Sequence, residues 1–379
     1  MERSKVLCIA TEHLRFLSKT KTRRIFDLAA ECEAVILLPK SGYIEDKLMQ
    51  RVTDVQRIPT IGNTFILFKL VNVVLFILFT IRYLAQHPEI RIVYTIPTYA
   101  AICGYLAKKL YRKKWVIDLF DNPIPVTKKT GVTGFVYAAG IRLVKNLINH
   151  ADLVIVGIVK ESVDWLNTRN PIFITNGVDL ASYQHHTRSS GKTSGIIKLV
   201  YIETSVIKSG VEYLLEAVSL LVSKGISNIE LLLIGFLDGA TIINDLRKRY
   251  NIEPFVSYLG PIDSEQLPAI LSDVDIGVIP LPNGPHRDET YPLKVFEYMA
   301  GGLTIISFAL QGIAKVVQNR QNGILITPNN PGALAEGLSE VIRNEDLRTF
   351  LSNNAKRSAS SYDWKDINSY VISKIKELC

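Results

Sequence analysis

The sequence predicts an α/β protein of two doubly wound domains, and three observations indicate this class. Its 379 residues suffice for two domains, and a composition with 47% hydrophobic and 21% charged residues is globular. Short β-branched runs alternate with amphipathic stretches in both halves, as in parallel sheets built from βαβ units. Finally, the polar stretch ASYQHHTRSSGKTSG separates the two halves like a linker.

Six strands are predicted in each half. In the first half they are KVLCIA, EAVILLP, IRIVYTI, KWVIDLF, DLVIVG and PIFIT, and in the second IKLVYIE, IELLLIG, FVSYLG, VDIGVIP, LTIISF and GILIT. We therefore predict a first domain over residues 1–180, a linker over 181–196, a second domain over 197–360 and a C-terminal helix over 361–379 that packs back on the first domain. Ligands of such sheets bind at the carboxyl ends of the strands.

Cysteine usage and the N-terminus indicate a cytoplasmic protein. Cys8, Cys32, Cys103 and Cys379 lack C-x-x-C spacing, which favours free thiols in a reducing compartment over disulfides or zinc. The opening MERSKVLCIATEH is interpreted as a first strand, because its apolar run is too short for a signal peptide.

The first half also has features that suit a membrane surface. Residues 64–82 are the most apolar stretch, but Lys69 and Asn72 interrupt it, and a span needs about 20 apolar residues. Two interpretations stay open: a buried helix, or a helix in the membrane interface. Two basic clusters would suit anionic headgroups, with a solvated surface as the alternative. They are Lys19, Lys21, Arg23 and Arg24, and then Lys108, Lys109, Arg112, Lys113 and Lys114. Peripheral contact with the inner face of the cell membrane is the resulting expectation.

The stretch ETYPLKVFEYMAGG, from Glu289 to Gly302, predicts a phosphate site. Pro292 is suited to the first turn of a helix that stops near the two glycines. Lys294 would then lie in the first turn, where a cation opposes the helix dipole unless an anion lies in front of it. A helix N-terminus with a lysine in its first turn suggests bound phosphate.

From residue 176 onward, several motifs together carry a resemblance. They are Glu289-x7-Glu297 followed by YMAGG, the Asn176-Gly-Val-Asp turn, VYIETSVIKSGVEYLLEAV and VSYLGPIDSEQLPAILSDVDIGVIPL. The chain resembles the retaining glycosyltransferases of family 4, within the group 1 glycosyl transferases. This resemblance implies the GT-B fold, in which two Rossmann-like domains face a central cleft.

The resemblance implies a metal-independent, hexosyltransferase-type enzyme that uses a UDP- or GDP-type sugar and needs no other cofactor. Glu289 would face the transferred sugar and stabilise developing positive charge, and Glu297 would hold the ribose. Lys294 and Lys208 would neutralise the diphosphate. The remaining implied donor contacts are the backbone of Thr290, Tyr291, Pro292 and Leu293 at the sugar and phosphate, and Pro261 and Ile262 at the base. The implied acceptor is a glycan or a lipid-linked precursor.

On the acceptor side, Asp118 and Asp121 at the end of WVIDLFDNP are catalytic candidates, with turn capping as the alternative. His13 follows the first strand and is a further acceptor-side candidate. Asp273-Val-Asp275 has the D-x-D form of a metal site, but it matches a structural position of the family, so no metal is assigned there.

Two departures from the family pattern keep other functions open. Thr204 stands where the family has an arginine, and Ser209 aligns with its lysine, one place after Lys208. A non-catalytic subunit that supports a partner transferase is therefore an alternative. A sugar-nucleotide epimerase of the same architecture is another, and it would need an acid/base set in the first domain. Nicotinamide chemistry is disfavoured because no G-x-G-x-x-G follows either first strand. Nucleic-acid binding is disfavoured because the basic clusters lack interleaved aromatic residues.

Overall fold

The computed structural model describes residues 4–10, 19–44, 46–60, 66–96, 100–120, 131–168, 170–186, 195–207, 209–284 and 288–379. The chain forms two compact units. The first comprises Met1–Thr175 and Lys365–Cys379, and the second Asn176–Trp364.

The first unit contains a seven-stranded parallel sheet. Its strands are β1 (Lys5–Ile9), β2 (Glu33–Pro39), β3 (Asp54–Ile58), β4 (Ile90–Thr95), β5 (Lys114–Leu119), β6 (Leu153–Val156) and β7 (Pro171–Phe173), in the order β3-β2-β1-β4-β5-β6-β7. Its helices are α1 (Lys19–Glu31), α2 (Asp46–Met49), α3 (Ile66–Gln86), α4 (Ala100–Tyr111), α5 (Gly131–Ile148) and, from the end of the chain, α14 (Trp364–Lys376).

The central strands of this sheet are mainly apolar, as expected where helices cover both faces. Side chains alternate along β1: Val6 and Cys8 face a core with α1 and α14, whereas Leu7 and Ile9 face a core with α3 and α4. Three of the four cysteines, Cys8, Cys32 and Cys103, are buried, and Cys379 is exposed; all four are free thiols.

Helix α3 has a buried face and an exposed apolar stripe. Phe76 and Leu84 pack in the core, while Leu70, Val74 and Leu78 are more than half exposed. Their spacing of four residues places them in one row along the helix. Among the described residues, no helix is both long and apolar enough to cross a membrane.

The second unit contains a six-stranded parallel sheet. Its strands are β8 (Ile197–Glu203), β9 (Ile229–Gly235), β10 (Val256–Gly260), β11 (Ile276–Ile279), β12 (Thr304–Phe308) and β13 (Ile324–Ile326), in the order β10-β9-β8-β11-β12-β13. Its helices are α6 (Ala181–Gln184), α7 (Val211–Ser223), α8 (Ala240–Arg249), α9 (Leu267–Ser272), α10 (Leu293–Gly301), α11 (Gln311–Ala314), α12 (Pro331–Arg343) and α13 (Glu345–Ala359).

Strand order in the second unit reverses between β8 and β11, as in Rossmann-type nucleotide-binding sheets. Helices α7 and α12 cover one face, and α9, α10 and α13 cover the other. The reversal opens a crevice at the carboxyl ends of β8 and β11, which is where such sheets bind ligands.

The division between the units differs slightly from the boundary predicted at residue 180. Residues 176–180 group with the second unit, because the backbone N–H of Val178 donates to the Tyr362 carbonyl and its carbonyl accepts from Trp364. After Trp364 the chain returns to the first unit, where Val371, Ile372 and Ile375 of α14 enter the core.

Candidate functional site

Helix α10 begins and ends where its sequence dictates. Pro292 is the N-cap residue, with φ −60° and ψ 128°, and Leu293 is the first helical residue. Proline has no N–H to leave unsatisfied at such a position. The helix stops at Gly302, whose φ of 68° lies in the left-handed region that glycine adopts without strain. The N-terminus of α10 therefore presents the backbone N–H groups of its first turn beside the crevice between β8 and β11.

Tyr298 fixes α10 to the sheet. Its fully buried hydroxyl accepts a hydrogen bond from the Ile202 backbone N–H at 3.1 Å and lies 3.4 Å from the Val200 carbonyl. The ring packs over Gly277 of β11, where a Cβ would lie 2.3 Å from the ring. Glycine at this position therefore lets the helix lie close to both central strands.

Lys294, in the first turn of α10, forms an ion pair with Glu203 at the end of β8. Its Nζ lies 2.9 Å from Glu203 Oε2 and 4.9 Å from the centre of the Tyr201 ring. The side chains are only 11% and 20% exposed, respectively. The pair therefore joins the first turn of α10 to the end of β8, one of the two strands between which the sheet reverses, in a setting drier than that of a surface salt bridge.

The carboxylate of Glu203 is held by several donors. The backbone N–H of Thr204 donates to Oε1 at 2.8 Å, the Thr204 hydroxyl lies 3.3 Å from the same oxygen, and the Tyr201 hydroxyl lies 3.4 Å from Oε2. Burial alone would raise the pKa of Glu203, but Lys294 and the Thr204 hydrogen bonds outweigh burial and bring it below its usual value. Glu203 is therefore ionised near neutral pH.

The loop before α10 is held by contacts at both of its ends. The Gly312 backbone N–H donates to the Asp288 carbonyl at 2.8 Å, and a Cβ on Gly312 would lie 1.9 Å from the Thr290 carbonyl oxygen. Asn176, from the predicted Asn-Gly-Val-Asp turn, donates to the Tyr291 carbonyl at 2.6 Å. These contacts fix the backbone that carries Glu289, which is partly buried.

Glu297 lies one turn after Lys294 on α10 and is partly buried. Burial, and next the negative charge of Glu297, raise the pKa of Tyr183 on α6. Of the other predicted donor residues, Thr290, Tyr291, Pro292 and Leu293 lie partly buried at the start of α10. Pro261 and Ile262 follow β10, where Gly260 has a φ of 69°. The structure thus places all these residues at the carboxyl edge of one sheet.

Asp118 has different surroundings from those expected of an acceptor-side catalyst. It is fully buried in the first unit, where it pairs with Arg24 and accepts a hydrogen bond from the Tyr94 hydroxyl. Burial alone would lower the pKa of Arg24, but Asp118 and Tyr94 outweigh it and raise that pKa. Asp118 therefore holds β4, β5 and α1 together. The other acceptor-side candidates, Asp121 and His13, and the donor candidate Lys208 lie outside the described residues.

The Asp273-Val-Asp275 motif lies at the opposite edge of the second sheet. Asp273 pairs with the Lys198 ammonium, and Asp275 accepts from the Lys198 backbone N–H at 2.8 Å. Lys198 stands at the start of β8, so both carboxylates lie at the amino ends of the strands, away from Glu203. Their contacts agree with the structural role given to the motif.

Sequence reasoning missed Glu203 as a site residue. The available signal was a carboxylate at the end of a mainly apolar strand, IKLVYIE, which leads into a βα loop. It could not be interpreted without the strand order, because 91 residues separate Glu203 from Lys294.

The fold defines the class of this protein. Two Rossmann-like units of this kind form the GT-B fold of glycosyltransferase structures. The chain matches sucrose-phosphate synthase from Thermosynechococcus elongatus with a TM-score of 0.77 and 18% identity, covering 99% of each chain. It matches Anabaena HepE in complex with UDP with a TM-score of 0.76 and 18% identity, covering 98% of this chain and 100% of that one. The predicted GT-B fold is confirmed.

The sequence comparisons give a family match over part of the chain. Residues 182–358 match the family model described as glycosyl transferases group 1, which confirms the predicted resemblance to this group. A 181-residue segment is 25% identical to an uncharacterized glycosyltransferase of Methanocaldococcus jannaschii, covering 48% of this chain and 45% of that protein. The chain thus spans less than half the length of this curated relative.

Proposed function

We propose that the protein is a retaining glycosyltransferase of family 4 that moves a hexosyl group from a nucleoside diphosphate sugar to a glycan or lipid-linked acceptor. The observation that carries the proposal is the placement of the α10 N-terminus and its preceding loop at the carboxyl edge of a sheet that reverses between β8 and β11. A helix N-terminus at such a reversal suits a diphosphate. The structural likeness to a protein in complex with UDP supports the same donor class.

The proposed roles follow from position along this edge. Glu289, in the fixed loop before α10, would face the transferred sugar, where a carboxylate stabilises positive charge at the anomeric carbon. The backbone of residues 290–293 would bind sugar and phosphate oxygens, and Glu297 would bind the ribose. Lys294, with Lys208 from the βα loop, would offset phosphate charge in place of a metal ion. Pro261 and Ile262 would lie against the base.

Donor binding is tested by titration calorimetry with UDP-, GDP- and ADP-sugars in metal-free buffer. We expect one nucleotide to bind selectively, and Glu297→Ala to weaken it at least about tenfold, because a ribose hydrogen bond to a charged group is lost. Glu336→Ala, on the exposed face of α12, is the matched control and should bind like the wild type. Absence of binding to all three, in folded protein, would favour the non-catalytic subunit.

Retention and the role of Glu289 need a product assay. With a donor identified, the anomeric configuration of the product distinguishes retention from inversion. Glu289→Gln should lower kcat by about a hundredfold or more while donor binding changes little, because the carboxylate acts mainly on charge in the transition state. An unchanged kcat would remove Glu289 from the mechanism.

The acceptor is proposed to be presented at the cytoplasmic face of the cell membrane. The exposed stripe Leu70, Val74 and Leu78 on α3 supports this proposal, as does exposed Leu110 on the adjacent α4. Exposed cations accompany them at the end of α4 and just after it, namely Lys109, Arg112 and Lys114. An apolar row beside cations suits an anionic lipid surface.

Part of the predicted basic surface is corrected by the structure. Arg24 is buried against Asp118, and Arg23 pairs with Asp27 at 3.2 Å, so neither stands as an exposed cation for lipid. Lys108 likewise pairs with Asp152, and Lys113 donates to the Pro88 carbonyl. Ion pairs and hydrogen bonds within the fold explain why these cations do not form one exposed surface. Cations that are clustered along the sequence need not be clustered on the surface.

Membrane contact is tested by sedimentation with vesicles that contain phosphatidylglycerol. Val74→Ser with Leu78→Ser should lower the bound fraction several-fold, because two exposed apolar side chains no longer enter the interface. Leu237→Ser in the second unit, 63% exposed in the wild type, is the control for lost surface hydrophobicity. Equal binding by all three proteins would argue against α3 as the contact.

A further inference from the structure

The first turn of α10 contains a cation that the helix dipole disfavours, so an anion in front of the helix is required to offset it. In the structure that anion is Glu203, which ends β8 and whose carboxylate lies 2.9 Å from the Lys294 ammonium. Ligands of sheets with such a reversal bind in the crevice at this point, and a helix N-terminus there suits a phosphate group. A protein carboxylate thus lies where the proposed donor would bring its own negative charge.

Both the backbone and the carboxylate of Glu203 are held in place by neighbouring groups. Its carbonyl accepts from the Phe236 backbone N–H at 2.6 Å, and a Cβ on Gly235 would lie 2.0 Å from that carbonyl oxygen. Its carboxylate has Thr204 as a second fixed donor. Lys294, by contrast, ends in an ammonium on a flexible four-carbon stem. When an anion enters, the lysine is therefore the partner that can move.

We propose, on the basis of the donor site proposed above, that Glu203 is a resident counter-anion of Lys294 that the diphosphate of the donor must displace. Glu203 then determines how much positive charge the site offers. A nucleoside diphosphate has enough charge to compete for Lys294, whereas a monophosphate has less and a nucleoside has none. Glu203 would thus act as a specificity-determining residue that favours the intact diphosphate over fragments of it.

The test compares the binding of three ligands that carry decreasing negative charge. The member of UDP, GDP and ADP that binds the wild type is titrated beside its monophosphate and its nucleoside, at fixed ionic strength. Removal of the competing carboxylate in E203Q should tighten diphosphate binding about three- to tenfold, in line with one partly exposed charge pair. The monophosphate should gain less, and the nucleoside should not change.

The effect of E203Q on diphosphate binding should depend on the presence of Lys294. Lys294→Met should weaken diphosphate binding, and in the Lys294→Met background E203Q should gain clearly less than in the wild type, because the displaced partner is absent. Thr204→Val is the matched control. It removes a hydroxyl contact of the same carboxylate without changing charge, so it should not tighten binding. If Glu203 had a purely structural role, E203Q would change the affinity for all three ligands by a similar factor.

The outcomes separate the two proposals. If neither the wild type nor E203Q binds any of the three diphosphates, the donor site and the inference both fail. If the wild type binds but E203Q binds equally or more weakly, the donor site stands and the inference is overturned. Melting temperatures verify that each variant is folded. Should E203Q unfold, Glu203→Asp, which withdraws the carboxylate by one methylene, should give a smaller tightening in the same ligand order.

Discussion

At the scale of the residue, the Arg24–Asp118 pair illustrates how a charged side chain is tolerated inside a sheet protein. Arg24 is 1% exposed and Asp118 is fully buried, and Tyr94 and Asn368 supply further hydrogen bonds. Two desolvated charges gain little net stability from their attraction. Loss of one partner is costly, however, because the other charge is then left buried without compensation.

Asp118→Asn should therefore destabilise the protein by about 3–5 kcal/mol, as measured by chemical denaturation. Combining it with Arg24→Met should recover part of the loss, since no buried charge remains. Glu212→Gln, in an exposed ion pair with Arg249, should cost less than about 1 kcal/mol. If Asp118→Asn instead keeps wild-type stability and loses activity, Asp118 acts in catalysis as the sequence suggested.

At the scale of the element, helix α10 depends on one tyrosine hydroxyl for its position on the sheet. Tyr298→Phe would leave the Ile202 N–H without its acceptor in a buried setting, which costs about 1–3 kcal/mol. The same change should weaken nucleotide binding, because the N-terminus of α10 is less firmly placed. Tyr370→Phe on α14, about half exposed, should alter neither property in melting and binding experiments. Loss of stability with unchanged binding would show that the helix keeps its place without this bond.

The secondary-structure elements also show how much of the fold the sequence alone could predict. All twelve predicted strands are present, because parallel strands buried on both faces are apolar runs that stand out from their flanks. The thirteenth, β3, was missed because DVQRI contains three polar residues and lies at the edge of its sheet. The start of α10 near Pro292 was predictable from local chemistry. Its pairing with Glu203 was not, since it depends on β8 and β11 being neighbours.

At the scale of the whole molecule, the chain leaves the first unit, forms the second and returns to complete the first. Helix α14 is joined to α1 by Lys376–Glu31 at 2.7 Å and by Asn368–Asp27 at 2.7 Å, and Val371, Ile372 and Ile375 are buried beneath β1 and β4. The core of the first unit is therefore closed by a segment that follows the whole second unit in the sequence. Without α14, the apolar side chains of α1 that face it would lack their cover.

Ile375→Ala should accordingly destabilise the first unit by about 2–5 kcal/mol, the usual cost of emptying a fully buried site. Hydrogen exchange locates the effect: amides of α1 and β1 should exchange faster, whereas those of β8 and β11 should keep their protection. Tyr370→Ala, on the exposed side of the same helix, controls for changes in helix propensity and should leave both sets unchanged. Equal loss of protection in both sheets would mean that the two units unfold as one cooperative body, so that α14 stabilises the proposed donor site as well as the core it enters.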